Sequence, residues 1–221
     1  MTERDDGYCV CDHVFARSEM ASVIDAVSDL RRTRAGARHA LRMPAVRELA
    51  ADPRMSRIAE RFIGPQAVAF RATLFDKSPA ANWLVVWHQD TALPLRERIG
   101  DAEWGPWSTK EDVLHAHAPA WALEQVVALR VSLDDSTHMN GPLRVLPRTH
   151  CDGVLESADI ERLVGITPAI DCLAESGGVI AMRPLTIHAS SKSGDETRRR
   201  VLHIEYATRL DLAPGVELAV D

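Results

Sequence analysis

The sequence predicts a mainly β fold with N-terminal helices, in which the strands form an antiparallel sandwich or barrel. Three observations support this prediction. Apolar residues follow a helical spacing up to about residue 66, and they alternate with polar residues from residue 67 onward. Turn signals separate many short strand-like segments in the second part. No alternation of strands and helices follows residue 67, which argues against a parallel α/β sheet.

The length and composition fit a single globular domain. The chain has 221 residues, of which 46% are hydrophobic and 26% are charged. This is enough chain to bury a core without disulfides. We expect one domain over residues 1–221, with a helical lead, a β-barrel core, an insertion within that core and a C-terminal tail. These parts are residues 1–66, 67–210, 91–121 and 211–221.

Helix signals are concentrated in the lead. Ser18 can cap the first helix, and Pro44 and Pro53 stand where the first turn of a helix accepts proline. The predicted helices span residues 18–30, 45–50 and 53–62.

The lead is rich in arginine, with ten Arg and three acidic residues between positions 31 and 71. Such a segment is either a nucleic-acid-binding patch or a solvent-exposed helix face. The formal net charge of −6 favours the exposed face, because an acidic protein is a poor ligand for a phosphate backbone. We therefore expect no nucleic-acid partner.

The core contains seven predicted strands. They span residues 67–77, 83–90, 126–133, 143–146, 179–182, 186–189 and 201–208. Side chains of the first strand divide into an apolar face and a mixed face. The apolar face holds Val68, Phe70, Ala72 and Leu74, and the mixed face holds Arg71, Thr73, Phe75 and Lys77.

The sequence also excludes some classes of protein. No apolar run approaches the roughly 20 residues that a membrane helix needs, and the N-terminus lacks the pattern of a signal peptide. The four Cys residues match no zinc or disulfide pattern. We expect a cytoplasmic protein without a membrane partner. The sequence does not indicate an oligomeric state.

The most specific local feature is the pair His88 and Asp90. On a strand these two side chains point to the same face. An additional imidazole from a neighbouring strand, for which His188 is the candidate, would complete a 2-His-1-carboxylate triad that binds Fe(II). An H-x-D pair alone is weak, since an isolated histidine is more often structural.

Arg199 lies eleven residues after His188 and strengthens this interpretation. If 2-oxoglutarate chelated the iron, its distal carboxylate would need a buried cation, and the planar guanidinium suits a carboxylate. Alternation along the strand can direct Arg199 inward while its two arginine neighbours face solvent. Ser190, on the same face as His188, could donate a second hydrogen bond.

These motifs together resemble the phytanoyl-CoA dioxygenase family. The resemblance rests on Trp-His-Gln-Asp at 87–90, on Asn140-Gly141-Pro142 and the residues through His150, and on His188, Ser190 and Arg199. It covers residues 67–210, and the helical lead fits the family. Pro147-Arg148-Thr149-His150 departs from the common Pro-Gly-Ser-His without touching a ligand position.

The resemblance implies a double-stranded β-helix of the jelly-roll, cupin-like type. It implies that His88, Asp90 and His188 bind iron, and that Arg199 and Ser190 bind the 2-oxoglutarate 5-carboxylate. The cofactors would be Fe(II), 2-oxoglutarate and O₂, with ascorbate as a supporting reductant. The enzyme would oxidise a small molecule, such as an amino acid, a small acid or a natural-product intermediate, and release succinate and CO₂. Hydroxylation is the favoured outcome, and desaturation or cyclisation would use the same site.

Two alternatives remain open. One is a metal-dependent hydrolase or isomerase on a cupin-like barrel, which would not need Arg199. The other is a non-catalytic barrel that binds a ligand, although the complete ligand set argues against it.

Several further residues are expected near this site. Arg71, Thr73, Lys77 and Arg130 either line the barrel interior or form surface salt bridges, and Asn140 either reaches the pocket or only forms a turn. The insertion 91–121 is expected to cover the site. Within it, Trp104 and Trp107 are predicted to form a substrate lid. His115 and His117 are either a second metal-binding pair or residues that line a loop or pocket, and the lack of an evident third ligand favours the loop or pocket. His150 and His203 are interpreted as structural.

Overall fold

The computed structural model describes residues 6–28, 30 and 36–221. Its helices are α1 (Arg17–Ala26), α2 (Pro44–Ala50), α3 (Pro53–Ile63), α4 (Ala120–Leu123) and α5 (Ser157–Ile166). Its strands are β1 (Tyr8–Cys11), β2 (Gly36–Ala37), β3 (Val68–Lys77), β4 (Val85–His88), β5 (Ala92–Leu95), β6 (Trp107–Lys110), β7 (Val113–His117), β8 (Val126–Ser132), β9 (Leu143–Val145), β10 (Ile170–Cys172), β11 (Val179–Met182), β12 (His188–Ser190), β13 (Arg199–Ala207), β14 (Asp211–Ala213) and β15 (Val216–Glu217).

Two antiparallel sheets form the core of the fold. The major sheet has the strand order β1-β11-β8-β13-β3-β2, and the minor sheet has the order β10-β9-β12-β4. The longest pairing joins β13 to β3, with Arg199 opposite Lys77 and Glu205 opposite Arg71. This register fixes which side chains of the two strands meet.

The two faces of the major sheet differ in chemistry. One face packs against the helices α1, α2 and α3, and its apolar side chains form the largest core. That core includes Met20, Met55 and Phe62 of the helices and Leu74, Leu129, Leu202 and Ile204 of the strands. The other face carries the charged side chains of β3, β8 and β13 and looks into a cavity between the sheets.

The N-terminal lead contains two strands that the sequence pattern did not predict. β1 pairs with β11 at one edge of the major sheet and β2 pairs with β3 at the other, so residues 1–66 are not purely helical. The first helix begins after Ala16, whose backbone N–H donates to Glu19 at 2.7 Å. The predicted cap at Ser18 is therefore wrong, since Ser18 lies inside the helix. Arg31, Arg32 and Arg34 lie outside the described residues.

The insertion 91–121 folds as a small sheet of its own, with the order β5-β7-β6. It packs with the C-terminal hairpin of β14 and β15 around a second core. Leu93, Trp104, Leu123 and Leu212 belong to this core. Within the described residues, no helix combines the length and apolar character that crossing a membrane requires.

Candidate active site

The cavity between the sheets has a volume of about 300 Å³. Its walls come from β3, β8 and β13 of the major sheet, from β4, β9 and β12 of the minor sheet, and from the insertion. His88, Asp90 and His188 lie in its wall. The strands thus bring together residues that are up to a hundred positions apart in the sequence.

The register of two strands assembles the triad. His188 on β12 lies directly opposite His88 on β4. The Nε2 atom of each histidine is 3.5 Å from a carboxylate oxygen of Asp90. One nitrogen or oxygen atom from each of the three residues can be chosen so that all lie within 4.8 Å of one another. This spacing fits the three facial ligands of a single metal ion.

Hydrogen bonds orient both imidazoles toward a common point. The Nδ1 of His88 lies 2.8 Å from the carbonyl oxygen of Val86, and the Nδ1 of His188 lies 2.9 Å from that of Thr186. If Nδ1 carries the proton and donates to the carbonyl, the lone pair on Nε2 is free for a metal. The residues present therefore fit Fe(II), which binds two imidazoles and a carboxylate.

The electrostatics of the triad also suit a cation. Burial lowers the pKa of His188 to about 4, so this imidazole is neutral at neutral pH. Burial opposes ionisation of Asp90, but His188 and the hydrogen bond with His88 outweigh it and hold the pKa of Asp90 below its usual range. An ionised carboxylate beside a neutral imidazole is the protonation state that metal binding needs.

One end of the cavity, here called the Arg199 end, consists of Lys77, Ser190 and Arg199. Arg199 is 4% exposed, its Nε donates to the carbonyl oxygen of Asn140 at 3.1 Å, and its Nη2 donates to Ser190 Oγ at 3.3 Å. Lys77 Nζ donates to the same hydroxyl at 2.9 Å. Arg198 and Arg200 point elsewhere, because each forms an ion pair with an aspartate.

Arg130 adds a third cation to this side of the cavity. It is buried, and its guanidinium lies 3.0 Å from Nδ1 of His203 and faces the ring of Phe75. Within the part of the chain that is described, no acidic side chain forms an ion pair with Lys77, Arg130 or Arg199. Burial, and then the charge of Arg199, lowers the pKa of Lys77 to about 8.

The opposite end, here called the Arg71 end, consists of Arg71, Glu205 and Lys110. Arg71 holds Glu205 through two contacts, one from Nε to Oε2 and one of 2.7 Å from Nη2 to Oε1. Lys110 reaches the cavity from β6 and is exposed at its mouth. Glu205 and Lys110 were not identified from the sequence, although Glu205 has the same strand parity as Arg199.

The structure corrects three expectations about the pocket. Trp104 is buried in the second core with its ring 5.9 Å from that of Trp121, and Trp107 packs against the same core. Neither lines the cavity, so the predicted tryptophan lid is wrong. Asn140 also lies outside the cavity walls, and its side chain closes a turn by accepting from the backbone of Thr137.

Other expected residues do reach the cavity. Arg71, Thr73, Lys77 and Arg130 all line it, and His115 lines it from the insertion. His203 was interpreted as structural, but it faces the cavity because it shares the parity of Arg199 on β13. Burial lowers the pKa of His203 to about 3 and that of His115 to about 4.

Comparison with known proteins identifies the family. Residues 4–201 match the profile of the phytanoyl-CoA dioxygenase family, which is most of the chain. The chain belongs to this family. The resemblance deduced from the motifs is thus confirmed.

The relatives named below are only distantly similar to this chain. The chain is 25% identical over 182 residues to L-proline trans-4-hydroxylase of Streptomyces griseoviridis, a match that covers 70% of this chain and 59% of the hydroxylase. This chain therefore spans less than two thirds of that curated relative's length.

Solved structures share the fold. The crystal structure of EctD from S. alaskensis in its apo form superimposes with a TM-score of 0.70 at 18% identity, covering 92% of this chain and 73% of EctD. Other EctD crystal structures contain bound Fe, or 2-oxoglutarate with 5-hydroxyectoine. The carbocyclase SnoK from nogalamycin biosynthesis has a TM-score of 0.69 at 16% identity, covering 93% of this chain and 81% of SnoK. The predicted double-stranded β-helix is confirmed.

Proposed function

We propose that this protein is an Fe(II)/2-oxoglutarate-dependent oxygenase that oxidises a small molecule, with hydroxylation as its principal reaction. One observation carries the proposal. The triad of His88, Asp90 and His188 shares a cavity with the buried cations of the Arg199 end, and those cations have no acidic partner among the described residues. An uncompensated buried charge is costly, so its presence favours an anionic ligand next to the metal.

The residues divide the task between them. His88, Asp90 and His188 would hold the iron, and Arg199, Lys77 and Ser190 would hold the distal carboxylate of 2-oxoglutarate. Iron and 2-oxoglutarate, when bound, supply the oxidative decarboxylation that consumes O₂ and releases succinate and CO₂. The protein supplies orientation, because β12 carries Ser190 and His188 on the same face, two residues apart.

The size of the cavity and the relatives support a small substrate. A volume of about 300 Å³ is at the small end of ligand pockets. The relative from Streptomyces griseoviridis acts on L-proline by its name, and this favours an amino acid or another small acid here. A natural-product intermediate is the other substrate class, for which desaturation or cyclisation would use the same residues.

The test is spectroscopic and anaerobic. Fe(II) plus 2-oxoglutarate should produce a visible charge-transfer absorption, and the variants His88→Ala and Asp90→Ala should lose it together with at least a hundredfold in Fe(II) affinity, because each removes a ligand. His138→Ala is the matched control, since His138 also lies beside an aspartate, Asp171, but on the exposed surface. Absence of the band in the parent protein would refute the proposal.

A hydrolase or isomerase that uses the same triad without 2-oxoglutarate predicts a different result. In that case Arg199→Ala would spare activity, and no succinate would form from 2-oxoglutarate with Fe(II) and ascorbate. The unpaired cations of the Arg199 end count against this alternative, because a reaction without a carboxylate cosubstrate has no use for them.

A further inference from the structure

The Arg71 end of the cavity has features of a second anion site. In the proposed oxygenase, 2-oxoglutarate would occupy the Arg199 end. The register of β3 and β13 places the pair Arg71 and Glu205 six residues along the strand from Lys77 and Arg199. At about 3.4 Å per residue, this separates the two ends by roughly 20 Å along the sheet. The Arg71 end is therefore free for the substrate.

The cavity as a whole is strongly cationic. Among the described residues in its walls, six are Arg or Lys and three are Asp or Glu. This contrasts with a formal net charge of −6 for the whole chain. Fe(II) would add two positive charges and 2-oxoglutarate two negative charges, so both together leave the surplus unchanged. A site of this charge favours an anion as the second ligand.

The ion pair with Glu205 holds the Arg71 side chain in place but leaves one edge of its guanidinium available to a ligand. Glu205 occupies Nε and Nη2. No hydrogen bond of Nη1 is found among the described residues, and the Arg71 side chain is 20% exposed. The edge formed by Nη1 and Nη2 can therefore receive a carboxylate in a second two-point contact. Glu205 orients the guanidinium and acts as a positioning residue.

Lys110 supplies a second cation at the mouth of the cavity. It ends β6, and no acidic side chain among the described residues forms an ion pair with it. The adjacent turn is anchored, because Glu111 accepts from Arg38 at 2.7 Å. Burial, and then the nearby charges of Arg71 and Arg38, lower the pKa of Lys110, so positive charge outweighs negative charge around this amine.

We propose that the substrate carries a carboxylate, which is bound by the free edge of Arg71 and by Lys110, on the side of the metal opposite to the cosubstrate. This proposal rests on the proposed function. It names the substrate class as small carboxylic acids and assigns substrate selectivity to the β6–β7 hairpin of the insertion and to β3.

The experiment compares matched acids and amides. Succinate release is measured with Fe(II), 2-oxoglutarate and a panel of amino acids and 2-hydroxy acids, L-proline included, each beside its primary amide. The amide differs chiefly in lacking the negative charge. We expect at least one acid to stimulate succinate release, with kcat/KM at least tenfold above that of its amide, because a charge-assisted contact is lost in the amide.

Substitutions at two residues, Lys110 and Arg71, locate the contact. Lys110→Gln should raise the KM for the best acid by roughly tenfold, and Lys110→Arg should restore most of it. Arg71→Lys keeps the charge but loses the two-point edge, and should also raise the KM. Arg96→Gln is the control, because Arg96 is an exposed residue of the insertion that pairs with Glu217 outside the cavity.

A second readout separates this proposal from the proposed function. The charge-transfer absorption should titrate with 2-oxoglutarate in Lys110→Gln within about twofold of the parent, since one lost surface cation at this distance is largely screened. Suppose that the absorption forms in the parent protein. The proposed carboxylate site is then wrong, while the oxygenase function stands, in any of three cases: the amides match the acids in kcat/KM, no acid stimulates succinate release, or the KM for the best acid is unchanged in both Lys110→Gln and Arg71→Lys. If no absorption forms in the parent protein, the proposed function itself fails.

Discussion

Among the described residues, the cations of the Arg199 end have no acidic partner, whereas the cation at the centre of the Arg71 end is already neutralised by Glu205. Burying an unpaired charge costs several kcal/mol, and a paired charge costs much less. The first end is therefore suited to a ligand that always carries a negative charge there, such as the distal carboxylate of 2-oxoglutarate, which rebinds in every turnover. The second end tolerates being empty before a substrate binds.

The largest effect should come from the Arg199 end. Arg199→Ala removes a buried guanidinium and should raise the Kd of 2-oxoglutarate by about a hundredfold. A titration of the charge-transfer absorption measures this. Arg198→Lys is the control, because Arg198 faces away and pairs with Asp76. A change of less than threefold in Arg199→Ala would remove the distinction between the two ends.

At the Arg71 end, removing the charge of Glu205 should lower the stability of the protein rather than its affinity for 2-oxoglutarate. Glu205→Gln leaves the guanidinium of Arg71 without its carboxylate and should lower the free energy of unfolding by about 2 kcal/mol. This is below the range for a fully buried pair, because the Arg71 side chain is 20% exposed. Urea denaturation provides the measurement. The Kd of 2-oxoglutarate should stay within twofold, and a large rise would show that the two ends are not independent.

The affinity for 2-oxoglutarate should depend on pH through Lys77. The groups facing this lysine are Arg199, Arg130, the hydroxyl of Ser190, the backbone carbonyl of Ser191 and the ring of Trp83. Burial and Arg199 lower its pKa to about 8, so the ammonium is present below that pH and lost above it.

The Kd of 2-oxoglutarate should therefore rise, by up to roughly tenfold, as the pH increases from 7 to 9.5. Binding of the anion will itself move the midpoint upward, because the anion stabilises the charged ammonium. Lys77→Arg should flatten the profile, since arginine stays charged. An unchanged slope in that variant would assign the dependence to another group.

The smallest effect should come from the tryptophans of the insertion. Trp107→Leu removes a ring that packs on the second core and does not line the cavity. The KM for the best substrate should change by less than twofold, as measured by succinate release. A larger change in KM would support the tryptophan lid that the structure contradicts.

Much of the site was accessible from the sequence because its pattern is local. Strand alternation divided β3 into an apolar face and a cavity face, and it directed Arg199 inward. His203 and Glu205 lie four and six residues after Arg199 on β13, so the same alternation places their side chains on the face of Arg199. Applied to them, this argument would have identified both as cavity residues. They were missed because a lone polar residue on an apolar strand also fits a structural role.

Other features could not be read from local pattern. β1 has only four residues, too few to show an alternation, and β6 is polar and largely exposed. His39 and Asp221 meet across the rim of the cavity, with Nδ1 of His39 2.9 Å from a carboxylate oxygen. They are 182 positions apart, so the sequence around either residue gives no indication of the contact.

The sequence by itself determined the chemical types and their spacing: two histidines and an aspartate as the candidate iron ligands, an arginine as the proposed partner of a carboxylate, and alternating strands to present them. These follow from the two-residue period of a strand, which is a local property. Only the tertiary structure decided which cations are neutralised. In the described part of the chain, Arg71 has a carboxylate partner and Arg199 has none, because β13 pairs with β3 in one register. A shift of this register by one residue would turn the side chains of β13 to the opposite face of the sheet and give each of them a different partner.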